Sequence, residues 1–594
     1  ITGTLSIADG KTFNTNDNLT LRSTANGTAR LAALPVDGSG NATAYINGSV
    51  NIERYIPARK AWRLLSVPIA NGNDVTINDA WQEGASASSF GPSDPNPGYG
   101  VHITGGTLAN GFDQSLTNSP SMKVYNTATG TFTGLPATPG TFAAIGNYTG
   151  YFVYIRGDRS IDPMQGNNAA VTPTTLRVRG TVKTGKQTFN VNATGFTVFG
   201  NPYPSAINFA TLTRTNVKNT FYIWDPKLAG SQGLGGYVTA SWNSGTNSYD
   251  FTTSVSPVSQ YIPSGEAVLI ESADGIKPGT LEVNETDKTS LGSDDLFGRR
   301  TTASNQLSIT LKENNNNEYN LIDAALVTFD ARYSRSLEAA DARKLPMEHT
   351  SVGISCEGKT LAIERRPLPE KSDRIQLQLD QLNPGEYVLS VQPTWSHPTI
   401  HTAFIVDRYA NNQTPMELNA AGATDLTFTV TADASSKAAD RFSIVFDAPV
   451  LQPFSFKRVN ANASSNNVDV HWEVAHPEQV TGYRIERRLD PKQSFVSIRT
   501  ESAGAKANSL QTSDLLPMNW NQADYRVVAT LTNGQTVTST ERRVIRTILL
   551  GPAVTVMPNP VTTFTLQFQT TDVPVGPYKL KITNASGVVI DQET

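Results

Sequence analysis

Residues Pro453–Thr500 read PFSFKRVNANASSNNVDVHWEVAHPEQVTGYRIERRLDPKQSFVSIRT. Short β-branched and aromatic runs are separated by Asn, Ser, Pro and Asp, which favour turns. Trp472 stands on one such run and Tyr483-Arg484-Ile485-Glu486-Arg487 on the next, so the stretch predicts consecutive strands. Asp524-Tyr525-Arg526-Val527-Val528-Ala529 adds a later strand. His471 adjoins Trp472 and is expected to face solvent.

The same bias runs through the chain. Its 594 residues exceed one core, and about 100–200 residues per domain predicts three to five domains. Hydrophobic residues make up 38% and charged residues 17%, against about 25% charged in ordinary globular proteins. Thr, Ser, Asn and Gly fill the difference, as half-exposed sheets and their turns require. Forty-five glycines and 34 prolines oppose long helices. The expected fold class is all-β: tandem β-sandwich domains, with the end of a β-solenoid as a candidate for the N-terminus.

A net charge of −4 gives no whole-chain reason to bind nucleic acid or an anionic membrane. The pairs Arg365–Arg366, Arg487–Arg488 and Arg542–Arg543 read as solvated strand edges. A single cysteine, Cys356 in SVGISCEG, excludes an intrachain disulfide and a cysteine-cluster zinc site, and is expected to be a buried structural thiol. No apolar run is long enough for a transmembrane helix. The chain opens at Ile1 without a leader and reads as a processed or partial piece of something longer.

Residues 1–56 carry short apolar pairs at loose intervals, Leu5 and Ile7, Leu19 and Leu21, Leu31 and Leu34, then Ile46 to Ile52. These fit either solenoid rungs or a hairpin sheet. A large β-rich domain is expected at 57–295, with long exposed loops between Asn71 and Thr149. The polar run at 286–303 reads as a connector, with the linker itself at 296–303. A jelly-roll-like sandwich follows at 304–447, in which Ser336–Leu345 is the one helix candidate, stopped by Pro346. Residues 448–550 form a further sandwich and 551–594 a short final segment.

The final segment reads GPAVTVMPNPVTTFTLQFQTTDVPVGPYKLKITNASGVVIDQET. Pro558, Asn559 and Pro560 make a rigid turn, strands follow around Phe568 and Leu580, and Asn584 to Gly587 make another turn. This order resembles the first half of the type A C-terminal sorting domain of Bacteroidetes type IX secretion cargo, carried by Pro558, Asn559, Pro560, Gly576, Tyr578, Leu580, Asn584 and Gly587. Residues 455–547 resemble a fibronectin type III domain, with Trp472 on an early strand where such domains bury a tryptophan, Tyr483–Arg487 on the following strand and Tyr525–Val527 on a late strand. The pieces ERYIP, WRLLSVPI, GNPYPSAINF, FYIWDP and YIPSGEAVLIES resemble β-rich modules of Bacteroidetes surface proteins, and 304–447 resembles a sandwich found upstream of such sorting domains.

These resemblances imply a secreted, cell-surface protein associated with the outer membrane. Its implied partners are the type IX secretion machinery and a glycan or protein ligand, with no nucleic acid. The expectation is a non-enzymatic adhesin or structural component. The alternatives are the C-terminal part of a polysaccharide hydrolase, and a fibre or secretion subunit completed by a partner strand.

No catalytic residue is assigned: HExxH, G-x-S-x-G and P-loop patterns are absent, and His397 and His401 lie in extended sequence. Tyr203, Tyr222, Trp224 and Trp242 are the candidate ligand-stacking residues, with a rigid corner at Tyr203 and core packing as the competing reading. No cofactor is expected, and calcium is the candidate ion, at Asp37 and Asn41 or at Ser293-Asp294-Asp295.

Overall fold

Three parallel pairings decide between rungs and hairpins at the N-terminus. Thr4–Leu5 pairs with Arg30–Leu31, Thr12–Asn14 with Tyr45–Asn47, and Leu19–Leu21 with Val50–Ile56. A strand lying parallel to one that follows it by some thirty residues, three times in succession, is a stacked solenoid turn. Leu31, Leu34 and Ala44 fill its interior. The computed structural model describes residues 1–86, 97–147, 149–228, 235–253, 255, 258–291, 305–347, 349–396, 400–446, 454–464, 466–502, 507–517, 520–532, 534–546, 553–557, 565, 567–571 and 573–593. Strands dominate throughout, and the only α-helix among the described residues is Ile77–Trp81. The chain divides into two compact units, Ile1–Val450 and Leu451–Thr594.

In the first unit the solenoid runs straight into the next layer, because Val50–Ile56 also pairs antiparallel with Thr174–Gly180. Ala61–Leu65 pairs with Tyr151–Ile155 in a four-stranded sheet. A five-stranded sheet is ordered Phe196–Gly200, Ala267–Glu271, Thr220–Asp225, Gly236–Asn243 and Ser248–Phe251. Leu64, Phe152, Tyr222 and Leu269 pack between these two sheets.

Between Asn71 and Thr149 exposed turns, as at 127–131 and 136–139, alternate with buried anchors. Trp81, Val101, Ile103 and Phe112 enter the same core as Val153 and Leu176. Isolated apolar residues in irregular chain have no period to reveal their common direction. Asp113 gathers part of this segment's polar groups. Asp113 accepts from Arg159, from Gln82 Nε2 at 2.8 Å and from the Ile103 amide at 2.9 Å.

Residues 305–446 build one large sheet of eleven strands, folded over so that a single core takes side chains from Leu307 through Phe446. The helix candidate Ser336–Leu345 is instead a turn followed by the short strand Ala342–Arg343, which pairs with Lys359–Arg366. Asp341 is the reason: its carboxylate accepts from the amides of Glu338 and Arg365, fixing a turn and docking it on the sheet. The polar connector starts later than its composition suggests, since Glu285 and Lys288 form a buried ion pair at 2.7 Å inside the first unit. The linker at 296–303 and Ser293-Asp294-Asp295 lie outside the described residues.

Arg365 and Arg366 are not a solvated edge. Arg365 is fully buried and reaches across to the five-stranded sheet, donating to Asp250 Oδ2 at 2.9 Å and to the Ser241 carbonyl at 3.0 Å. Arg343 bonds Glu271, and His349 Nε2 lies 3.0 Å from the Gly235 carbonyl. The two sheet systems of the first unit are thus joined by polar contacts, of which that of Arg365 is fully buried.

In the second unit one sheet is ordered Ser455–Ser464, Asn467–Ala475, Ser509–Leu515, and the other Val496–Ser502, Val480–Arg488, Gln522–Leu531, Thr536–Thr538, with Arg542–Ile545 also on Gln522–Leu531. Trp472, Tyr483 and Tyr525 lie in the core between them. Of the other arginine pairs, Arg487 bonds Asp514, and Arg488 and Arg543 bond Asp524. The final segment forms two hairpins, Ala553–Met557 with Gln567–Thr571 and Leu580–Thr583 with Val589–Glu593.

Candidate functional site

The first unit contains a groove of about 420 Å³ where the start of the second layer meets the five-stranded sheet, a size within the roughly 300–1,000 Å³ common for small-ligand sites. One wall is Arg54 to Arg59 with Arg63, Leu64 and Leu65. The other is Ile223 to Lys227, with Val258, Ser259, Tyr261, Pro263 and Glu266 closing the end. Pro57, Pro226 and Pro263 stiffen the rim by fixing φ.

Cations outnumber anions in this groove. Arg54, Arg59, Arg63 and Lys227 face Asp225 and Glu266. Glu266 lies 3.5 Å from Arg54 Nη2, and the Asp225 carboxylate accepts from the amides of Lys227 and Val255 at 2.9 Å each. Arg59 Nε donates to the Pro226 carbonyl at 3.1 Å, tying the two walls together.

Arg63 is the buried member, 8% exposed. Its Nη1 donates to the carbonyls of Arg59 at 3.4 Å and Ala61 at 3.3 Å, and no carboxylate pairs with it among the described residues. Burial, with the charges of Arg54 and Arg59, lowers its pKa to about 10. It remains a cation at neutral pH.

Of the candidate stacking residues, only Trp224 lines the groove. Its indole N–H donates to the Trp62 carbonyl at 3.0 Å, and Tyr237 packs edge-on at 4.8 Å, which fixes the ring. Tyr203 is fully buried, with its hydroxyl 2.5 Å from the Gly185 carbonyl. Asn201 completes that corner, its Nδ2 donating to the carbonyls of Ser205, Ile262 and Pro263. Tyr222 is fully buried and donates to Glu271 at 2.9 Å, and Trp242 rests edge-on against Tyr249. Neither Tyr203, in the bend between Phe196–Gly200 and Ala206–Asn208, nor Tyr222, on its strand, can stack on a ligand, because both are fully buried.

The residues missed in the sequence are Arg54, Arg59 and Arg63. Their signal was there: with Lys60, four cations fall within ten residues around Pro57 in a chain poor in charge.

The calcium candidates Asp37 and Asn41 form a self-contained turn. Asp37 Oδ1 accepts from the amides of Ser39 and Asn41, and Oδ2 from the Asn41 side chain. Among the described residues no three His, Cys, Asp or Glu side chains converge as a metal site. Cys356 is buried, with its thiol pushed up to about 11 by burial and then by Glu364 and Asp341, so it stays protonated.

Of the sorting residues, Pro558, Asn559 and Pro560 lie outside the described residues. Gly576, Tyr578 and Leu580 lead into the second hairpin. Asn584 and Gly587 form its turn, where Gly587 has φ 83° and the Asn584 side chain accepts from the Val588 amide.

A family model described as a domain of unknown function (DUF8693) matches residues 2–446. The chain belongs to the DUF8693 family. The DUF8693 match runs through the solenoid turn, the grooved body and the eleven-stranded sheet, so it coincides closely with the first compact unit. No curated protein matches the sequence. Solved structures similar to part of the chain include pectate lyase Pel3 from Pectobacterium carotovorum, at 14% identity and a TM-score of 0.13, covering 17% of this chain and 30% of that one. Another is the chicken interferon gamma receptor alpha chain, at 14% identity and a TM-score of 0.16, covering 27% of this chain and 91% of that one. The chain thus spans about a third of the pectate lyase.

Proposed function

We propose that this DUF8693 protein is a non-enzymatic, exported cell-surface protein, an adhesin or structural component, whose first unit presents a ligand-binding groove. The groove between the Arg54–Leu65 and Ile223–Lys227 walls carries this reading. Its carboxylates are held by protein donors, an arrangement that suits recognition. The sandwich around Trp472 acts as a spacer, and the segment resembling a sorting domain directs export by type IX secretion to the outer membrane surface.

Binding to glycan arrays, matrix proteins and whole cells tests the recognition, with the DUF8693 unit expected to retain at least one ligand. Steady release of reducing sugar from the same glycans would transfer the assignment to a hydrolase. Export is tested in a type IX-competent host by replacing Pro558, Asn559 and Pro560 with alanine, which should strand the protein inside the cell.

A second reading, a subunit completed by a partner strand, draws on one observation. The final hairpins leave Val575, Tyr578, Val588 and Ile590 exposed, at 57% or more, and exposed apolar strands invite strand addition.

A further inference from the structure

Arg63 lines the groove and leaves part of its guanidinium without a protein partner among the described residues. The guanidinium edge made by Nε and Nη2 is the one that accepts a carboxylate side-on, two parallel N–H···O bonds at once. In the same unit Arg441 fills that edge with Asp407, Nε to Oδ1 at 2.9 Å and Nη2 to Oδ2 at 2.7 Å. Arg63 spends only Nη1, on two backbone carbonyls, and its Nε and Nη2 hold no protein partner among the described residues. A buried guanidinium without a counter-ion is disfavoured, and the charge is compensated when an anion arrives.

We propose that the groove binds an acidic saccharide, with the Nε/Nη2 edge of Arg63 clamping its carboxylate and Trp224 lying against its ring. This rests on the surface-recognition reading above and names the class of ligand. Arg59 and Lys227 stand on opposite walls of the groove and add a field that favours anions entering it. The prolines on the rim and the fixed Trp224 ring preform the site, so little order has to be gained on binding.

Calorimetric titration of the full chain with a hyaluronan hexasaccharide, and with the same oligosaccharide after carboxyl reduction, tests this. Binding is expected only with the acidic form. Arg63→Lys, which keeps the charge and removes the fork, should weaken it at least tenfold, while Arg59→Ala, on the rim, should weaken it several-fold and steepen no salt dependence. Thermal melts establish that both variants fold; should Arg63→Lys fail to fold, Arg59→Ala and the reduced ligand carry the test. Equal binding of the reduced sugar, unchanged affinity in folded Arg63→Lys, no binding of hyaluronan or alginate oligosaccharides, or capture only of peptides through their terminal carboxylate would each overturn the assignment. Adhesion to cells that persists after such a result would leave the surface-binding reading standing without an acidic sugar.

Discussion

Arg159 closes a two-pronged bond on Asp113, with Nη1 and Nη2 each 2.9 Å from a carboxylate oxygen and neither side chain exposed to solvent. Burial alone would raise the Asp113 pKa, but hydrogen bonds from His102 and Arg159 outweigh it and bring the carboxyl down to about 2. A carboxylate depressed in the folded state stabilises the protein above its ordinary pKa, and that contribution is lost as pH falls through about 2. Asp113→Asn removes the charge that Arg159 is buried against and should cost about 3–5 kcal/mol. Limited proteolysis at neutral pH should show faster cleavage between residues 97 and 121 in the variant than in the wild type.

Glu364 moves the opposite way. Burial comes first, with Asp341 adding to it, and together they overcome Arg366 to push its carboxyl up to about 7. The folded state therefore holds a proton that the unfolded state has released, so stability falls as pH rises from the ordinary carboxylate range to about 7 and is level above it. At 1.36 kcal/mol per pH unit the full change is about 3 kcal/mol. Urea denaturation between pH 5 and 8 should show this slope in the wild type. Glu364→Gln should flatten it and be the more stable chain at pH 8.

Arg365 and Asp250 meet across the two sheet systems of the first unit. Arg365→Met leaves Asp250 buried with one charge partner fewer and should destabilise by about 3–5 kcal/mol. Differential scanning calorimetry checks this: the first unit should melt at a lower temperature, in one transition still shared by both sheet systems.

Trp472 is fully buried in the second unit. Trp472→Ala should cost about 3–5 kcal/mol. The loss should fall on the second unit alone, with the melting of Ile1–Val450 unchanged in the same calorimetric scan.

The all-β class was legible because it is a property of composition: Thr, Asn and Gly in excess, few charges, and β-branched runs cut by turns. The strands that carry Trp472, Tyr483 and Tyr525, which meet in one core, could be read from their resemblance to a fibronectin type III domain. Ser336–Leu345 misled because helix propensity is weak next to one carboxylate, that of Asp341, bonding two amides in a turn. The arginine pair 365–366 looked solvated since a buried cation is recognised only by its partner, and Asp250 lies 115 residues away. Trp224 was singled out and Arg63 was not, because an aromatic announces itself singly while a buried cation without a carboxylate partner is defined by what its neighbours leave open.

The contacts made by Arg365, Arg343 and His349 hold together what the peptide chain joins only once, between residues 291 and 305. A protease site engineered into that connector would therefore give a nicked protein that travels as one particle on a native gel and separates only in detergent. Two co-expressed fragments divided there should find each other in the cell, which makes the connector a natural place to split a reporter.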